Sequence, residues 1–330
     1  ERRVALVFTA PYIGIPSVST SLSLSHQREN ERAFGLTKNG IDLTFTWRPR
    51  RLFGMSVSGA IENNRIGVLG SESYEQLLED TTDLRLRQLL RVPEGTSTLV
   101  ATEVTASVDF RDSPFTPTKG FYATVTAEYA RTLRPAEIER DGERIVFDSN
   151  HFRLLGTFNG YIPIGEKLVF ATQLRLGRVV HLNSESKTYP NRQFFLGGVD
   201  TVRGYLQDSM VPQDLAEAIQ DGLVDNTAAV VQGGDSFMVL RGELRFPIFG
   251  DIGGGAFVDL GNTWIDTGGR PFQSGGLNPF ELRPTAGLGL RINTPVGPIA
   301  FDYGILLLRR TYLNSISEPF GSFHFSIGLF

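Results

Sequence analysis

The sequence predicts an all-β protein, a transmembrane antiparallel β-barrel, and three observations carry that reading. Apolar and polar residues alternate with period two through about thirteen segments. Each segment runs roughly 9–12 residues, which suits a strand tilted across a bilayer and exceeds the five or six usual in soluble sheets. The connections between segments alternate short and long, as in outer-membrane barrels with turns on the periplasmic rim and loops outside.

Composition sets the bounds. The chain has 330 residues, a formal net charge of −4 and no cysteine. The near-neutral balance argues against a nucleic-acid partner. The lack of Cys removes disulfides, thiol catalysis and thiolate metal sites together. No run of about 18 apolar residues offers a spanning helix, and no signal peptide is visible. The chain opens on Glu1-Arg2-Arg3 and enters a strand pattern at once, so the natural N-terminus is expected upstream. Glycine (36), Phe (24) and Tyr (9) are frequent, and the mean hydropathy is near zero. A polar lumen offset by an apolar outer surface has that profile.

In chain order, a first strand at Arg3–Ala10 is the least regular. Val18, Thr20, Leu22 and Leu24 then alternate with serines, Ile41, Leu43, Phe45 and Trp47 with polar residues, and Phe53, Met55, Val57 and Ile61 likewise. The pattern recurs at Leu99–Phe110, Phe121–Tyr129, Phe152–Ile164 and Leu168–Leu176. It resumes at Ser236–Ile248, Gly254–Trp264, Thr285–Ile292, Pro298–Leu307 and Ser322–Phe330.

The short connections, such as Pro11–Pro16, Pro49–Leu52, Arg111–Gly120 and Pro163–Lys167, are built from Pro and Gly, as tight turns require. The long ones are Gln27–Gly40, Glu62–Thr96, Arg131–Asn150, Val180–Asp235, Ile265–Leu282 and Arg309–Gly321. With this sorting the first and last strands run in the same direction. Because such barrels close with an even number of strands, an odd number is expected before Glu1. Two stretches read as solvated loop helices: Asp214–Gly222, with an acidic start and a Gly stop, and Glu75–Arg91.

Sorting the later strands by face places Arg241, Glu243, Arg245, Asp259, Arg291 and Asp302 in the lumen, opposite the apolar residues that lipid takes. The longest connection holds Gly197-Gly198 and Val202-Arg203-Gly204-Tyr205. If it folds into the lumen, the Arg203 guanidinium can meet Glu243 and Asp259 in charge-assisted, bidentate pairs that Lys could not reproduce. The alternative is a solvated loop arginine. Enzymatic signals are sparse. His26, His151, His181 and His324 lack metal-ligand spacing, and no nucleophile-elbow or phosphate-loop pattern occurs. His324, with serines nearby, is the one loose candidate for a membrane hydrolase. The expectation is no enzyme, no cofactor and no metal.

Several of these stretches resemble the BamA/TamA superfamily of outer-membrane assembly proteins. FFLGGVDTVRGY (Phe194–Tyr205) resembles the motif of its sixth loop. GAFVDLGNTW (Gly255–Trp264), GLGLRINTPVGPIAFDYG (Gly287–Gly304) and FHFSIGLF (Phe323–Phe330) resemble its later strands, and DFRDSPFTPTKG (Asp109–Gly120) one of its turns. The resemblance implies a sixteen-stranded barrel behind periplasmic POTRA domains, of which residues 1–330 would be the C-terminal part, with three strands and the POTRA domains upstream. It implies that loop 193–235 is extracellular and folds into the lumen, where Arg203, Gly204 and Tyr205 brace against Glu243 and Asp259.

The implied function is a multi-pass insertase of the bacterial outer membrane that folds client β-barrel proteins through a seam between its first and last strands. Phe323, Phe325, Ile327 and Phe330 would mark the last of these. The family usually ends on an aromatic in phase with the apolar face, whereas Phe330 is one residue out of phase. Implied partners are client outer-membrane proteins, accessory assembly lipoproteins, and outer-membrane lipid and lipopolysaccharide. A TamA-type or two-partner secretion transporter is the alternative within the superfamily, and a passive porin the alternative outside it.

Overall fold

Where lipid solvates one face of a strand and a polar interior the other, the backbone has no solvent to bond to and must pair with its neighbours. The computed structural model shows that outcome: thirteen strands form one antiparallel sheet, each hydrogen-bonded to the next in chain order. The structure describes residues 2–11, 17–30, 34–50, 52–68, 78, 92–140, 143–183, 186–223, 233–265, 279–294, 298–311 and 318–327.

The sheet begins with β1 (Arg2–Ala10), β2 (Val18–Asn30), β3 (Phe34–Arg50), β4 (Phe53–Val68), β5 (Gly95–Asp109) and β6 (Gly120–Arg134). A separate hairpin follows, β7 (Ala136–Arg140) with β8 (Glu143–Phe147). The sheet resumes with β9 (Asn150–Ile164), β10 (Leu168–His181), β11 (Ser236–Phe249), β12 (Ile252–Trp264), β13 (Arg283–Ile292), β14 (Ile299–Leu306) and β15 (Gly321–Ile327). One helix, α1 (Gln213–Gln220), lies in the connection from β10 to β11. β1 and β15 stand at the two ends of the sheet order.

Alternation predicts the strands well where lipid faces them and poorly beyond. The connection expected at Gln27–Gly40 is mostly strand, because β2 runs on to Asn30 and β3 starts at Phe34. The ladder continues through pairs such as Arg28↔Thr37 and Gln27↔Lys38. Past the apolar band the outward side chains become polar, so the alternation disappears although the backbone pairing does not. β4 extends to Val68 for the same reason. The connection expected at Arg131–Asn150 holds the end of β6 and the whole β7–β8 hairpin. The stretch Glu75–Arg91 lies outside the described residues apart from Leu78.

The helix expected at Asp214–Gly222 forms, as α1, but it is not solvated. Leu215, Ala216 and Ile219 of α1 are buried together with Phe34, Leu36, Leu99 and Tyr189. Their spacing makes an apolar stripe among the polar residues that suggested exposure. A second cluster joins Phe194, Leu196, Val202, Tyr205 and Met210 of the connection to Val179, Phe237, Val239 and Leu306 of the wall. The apolar core of this protein therefore lies on the inward face, where the long connection packs. On the other face Phe45, Val125, Phe158, Val258 and Leu288 remain exposed.

The turn between β5 and β6 shows how the short connections hold their shape. The Asp112 carboxylate accepts hydrogen bonds from the amides of Ser113 (3.0 Å), Thr118 (3.0 Å) and Lys119 (3.2 Å) and from the Thr118 hydroxyl (2.6 Å). Gly120 closes the turn at φ 95°, where a Cβ would press on the Phe110 carbonyl. Partial burial pushes the Asp112 carboxyl up, but the Thr118, Lys119 and Ser113 donors outweigh it and hold the group at about 2. A carboxyl held below its ordinary value of 3.8 contributes stability above that pH and loses it as the pH falls towards 2. The Thr118 and Lys119 amide resonances should therefore titrate with a midpoint near 2. Asp112→Ala should abolish that titration and loosen the turn; an unchanged titration in the variant would exclude this role.

Candidate functional site

The connection from β10 to β11 enters the inward face as a folded unit. Phe194 and Gly234 exchange backbone hydrogen bonds of 2.8 Å each way, which pins its two ends together. Between them the Gly198 amide donates to the Tyr205 carbonyl (3.1 Å) and the Met210 amide to the Leu196 carbonyl (2.9 Å). Gly197 (φ 110°), Gly198 (φ 98°) and Gly204 (φ 100°) supply left-handed backbone that turns the segment on itself. The fold leaves Arg203 at the tip, pointing at the wall.

Arg203 is 1% exposed and every nitrogen of its guanidinium meets a carboxylate. Nε and Nη2 donate to the two oxygens of Asp259 at 2.8 Å each, a bidentate pair. Nη1 donates to Glu243 (2.6 Å) and Asp302 (3.3 Å). The Arg203 backbone amide also donates to Asp259 (3.1 Å), and the guanidinium carbon sits 3.5 Å from the centre of the Phe257 ring. The carboxylates come from β11, β12 and β14, so one loop residue bonds three wall strands.

The wall supplies further cations. Arg291 donates to Glu243 (2.8 Å) and Asp302 (2.6 Å), and Arg245 to Glu243 (2.9 Å). Arg241 lies 3.5 Å from Asp259. Gly289 leaves the space that Asp302 occupies, since a Cβ there would collide with its carboxylate. Burial alone would lower the Arg203 pKa, but Asp259, Glu243 and Asp302 raise it above the ordinary arginine value, so the charge is permanent. Such a network contributes little net stability over an apolar core, yet losing one member leaves buried charge uncompensated.

Arg203, Gly204, Tyr205, Glu243 and Asp259 thus come together, with Asp302, Arg241, Arg245 and Arg291 around them. Tyr205 is buried and its hydroxyl donates to Glu318 (3.3 Å), ahead of β15. The Gly204 amide donates to His324 Nε2 on β15 (2.9 Å). Phe323, Phe325 and Ile327 point away from this junction and are exposed on the outward face. Phe330 lies outside the described residues.

A second ionic anchor escaped the sequence reading. Arg192, on a 3₁₀ turn at Pro190–Arg192, donates to Glu62 of β4 (3.0 Å) and Glu128 of β6 (3.1 Å), while Lys38 donates to Glu62 (2.6 Å). Glu62 is visible as the polar partner of Ile61 in its alternation. Its pairing with a residue 130 positions away has no local signal.

Another histidine, His181, joins a third knot. His181 Nδ1 lies 2.9 Å from Ser186 Oγ and its Nε2 3.3 Å from Asp235. Ser186 also bonds the Asn150 backbone in both directions, which ties the knot to the start of β9. Among the described residues no group of three or more His, Asp or Glu is placed to hold a metal.

Over residues 1–330 the sequence matches the Omp85 superfamily domain. It is 29% identical over 147 residues to outer envelope protein 80, chloroplastic, of Arabidopsis thaliana, covering 43% of this chain and 15% of that protein. It is 24% identical over 245 residues to outer membrane protein assembly factor BamA of Nitratidesulfovibrio vulgaris, covering 74% of this chain and 27% of that protein. Among solved structures, BamA from Haemophilus ducreyi lacking POTRA domains 1–3 has a TM-score of 0.73 at 17% identity, covering 99% of this chain and 61% of that one. CdiB from Escherichia coli has a TM-score of 0.52 at 14% identity, covering 98% and 52%. The chain spans only part of each of these relatives, and the structural likeness is one of fold.

Two sets of substitutions test the junctions. Arg203→Ala should lower the unfolding free energy by about 3–5 kcal/mol, as expected when a buried ion pair loses one partner. Arg203→Lys should recover only part of it, because an ammonium cannot engage both Asp259 oxygens. Urea unfolding in detergent, followed by heat-modifiable gel mobility, reads both. In a double-mutant cycle Arg192→Ala and Glu62→Ala should couple by about 0.5–3 kcal/mol; strict additivity would show that the second anchor carries no energy.

Proposed function

The chain belongs to the Omp85 superfamily and is an outer-membrane β-barrel protein, and we propose that it serves outer-membrane protein assembly as an insertase of the BamA kind. The observation that carries this reading is the Arg203 junction. A loop fixed inside the lumen by buried charge is not needed by a wall that merely conducts. It is useful in a wall that must open at one edge and hold its shape elsewhere.

The edge is β15. Among the described residues it pairs with β14 over Gly321–Ile327. Its outward Phe323, Phe325 and Ile327 are among the most exposed apolar side chains of the sheet. In this reading the seam is short, and the resulting mismatch locally thins the bilayer and lowers the barrier to insertion. An incoming client strand adds to such an edge through its backbone, by β-augmentation, with no covalent step. Client outer-membrane proteins are the substrate in this reading. Accessory lipoproteins, outer-membrane lipid and lipopolysaccharide are its further partners.

The likeness to CdiB supports a second reading, a superfamily transporter with a dedicated polypeptide client. Assembly assays separate the two. The full-length protein in liposomes should speed the folding of several unrelated urea-denatured β-barrel clients, read by heat-modifiable mobility. Acceleration of a single client would favour the transporter. Steady conductance without any acceleration would overturn both in favour of a pore.

A further inference from the structure

The tip of the inward loop touches the last hairpin of the sheet at more points than the charged junction requires. Gly204 lies backbone to backbone against Gly304 of β14, where a Cβ on Gly304 would stand 2.6 Å from the Gly204 nitrogen. Gly321, the first residue of β15, presses equally closely on the Gly304 carbonyl. Three glycines thus stack loop, β14 and β15 with no side chain between them. At this place the Gly204 amide donates to His324 Nε2 at 2.9 Å, which assigns the ring proton to Nδ1. His324 stands opposite Asp302 in the β14–β15 register, beside the Arg203 junction. Tyr205 adds its bond to Glu318, which also accepts from the Arg310 amide (3.0 Å) ahead of β15.

We propose that His324 is a positioning residue, a latch that ties the edge strand β15 to the lumenal loop, so that movement of the loop tip and release of β15 are one event. Among the described residues β15 pairs with β14 from Gly321 to Ile327, and the His324–Gly204 bond attaches it separately to the loop. The Arg203 junction keeps the loop tip fixed on β11, β12 and β14, and the latch carries that rigidity one strand further, to the edge. Its consequence for client entry rests on the assembly function proposed above; the coupling itself does not.

Hydrogen exchange on the full-length protein in lipid nanodiscs tests the latch. His324→Leu keeps bulk and removes the acceptor. It should raise the exchange of amides 321–327 by about three- to tenfold, the loss of one hydrogen bond, with amides 199–206 rising in parallel. His324→Gln places an amide oxygen near the Nε2 position and should stay within about twofold of the natural protein. Gly304→Ala pushes the loop off β14 and should raise exchange at 321–327 with His324 intact. Heat-modifiable mobility checks that each variant is folded.

Unaltered exchange in His324→Leu, or an increase in His324→Gln as large as in His324→Leu, overturns the latch. Client assembly measured on the same preparations separates the two proposals. Raised exchange with unaltered assembly upholds the latch and overturns its consequence for client entry, while the absence of assembly in the natural protein overturns the assembly reading. Unaltered exchange with impaired assembly overturns the latch and leaves the assembly reading in place.

Discussion

A guanidinium that is 1% exposed must have its charge and all its donors met within the protein. For Arg203 that demand is met by Asp259, Glu243 and Asp302 together, so the loop tip has one depth and one orientation in which it can sit. The demand also acts on the wall. A slip of one residue in β11, β12 or β14 would turn its carboxylate out to lipid and leave part of the guanidinium without its partner. The loop and the strand register therefore specify one another, and the wall cations Arg241, Arg245 and Arg291 pair with Asp259 and Glu243 around it.

Burial of the loop follows from the same arrangement. A sheet whose outer face belongs to lipid can bury apolar side chains away from lipid only on its inner face. The connection from β10 to β11 supplies what packs there: Phe194, Leu196, Val202 and Met210 in one cluster, Tyr189 and α1 in the other. Arg192 secures the first part of this connection on β4 and β6, and Arg203 the middle of it on β11, β12 and β14. The loop is thereby attached to wall strands that are remote from one another in the sheet order.

Function in this reading depends on an imbalance. Most of the wall is held by its ladders and by the loop, and among the described residues β15 is held by its pairing with β14 and by the contact of His324 with Gly204. An edge of this kind can pair with an incoming strand while the Arg203 junction keeps the neighbouring strands in register.

The amino-acid sequence by itself determined the sheet. Alternation at Ile41–Trp47 or Leu240–Phe246 records which side meets lipid, and that is a local property, written every second residue. It also placed Glu243, Asp259 and Asp302 on the inner face and singled out Arg203. Only the tertiary structure decided the rest. β2 and β3 continue past the apolar band, where alternation no longer reports pairing, and α1 is buried because other elements cover it. Arg192 finds Glu62 at 130 residues' distance, and His324 meets Gly204 at 120. These contacts cross the interior, and their geometry depends on where a whole wall places two chain segments. No pattern in either segment alone can encode it.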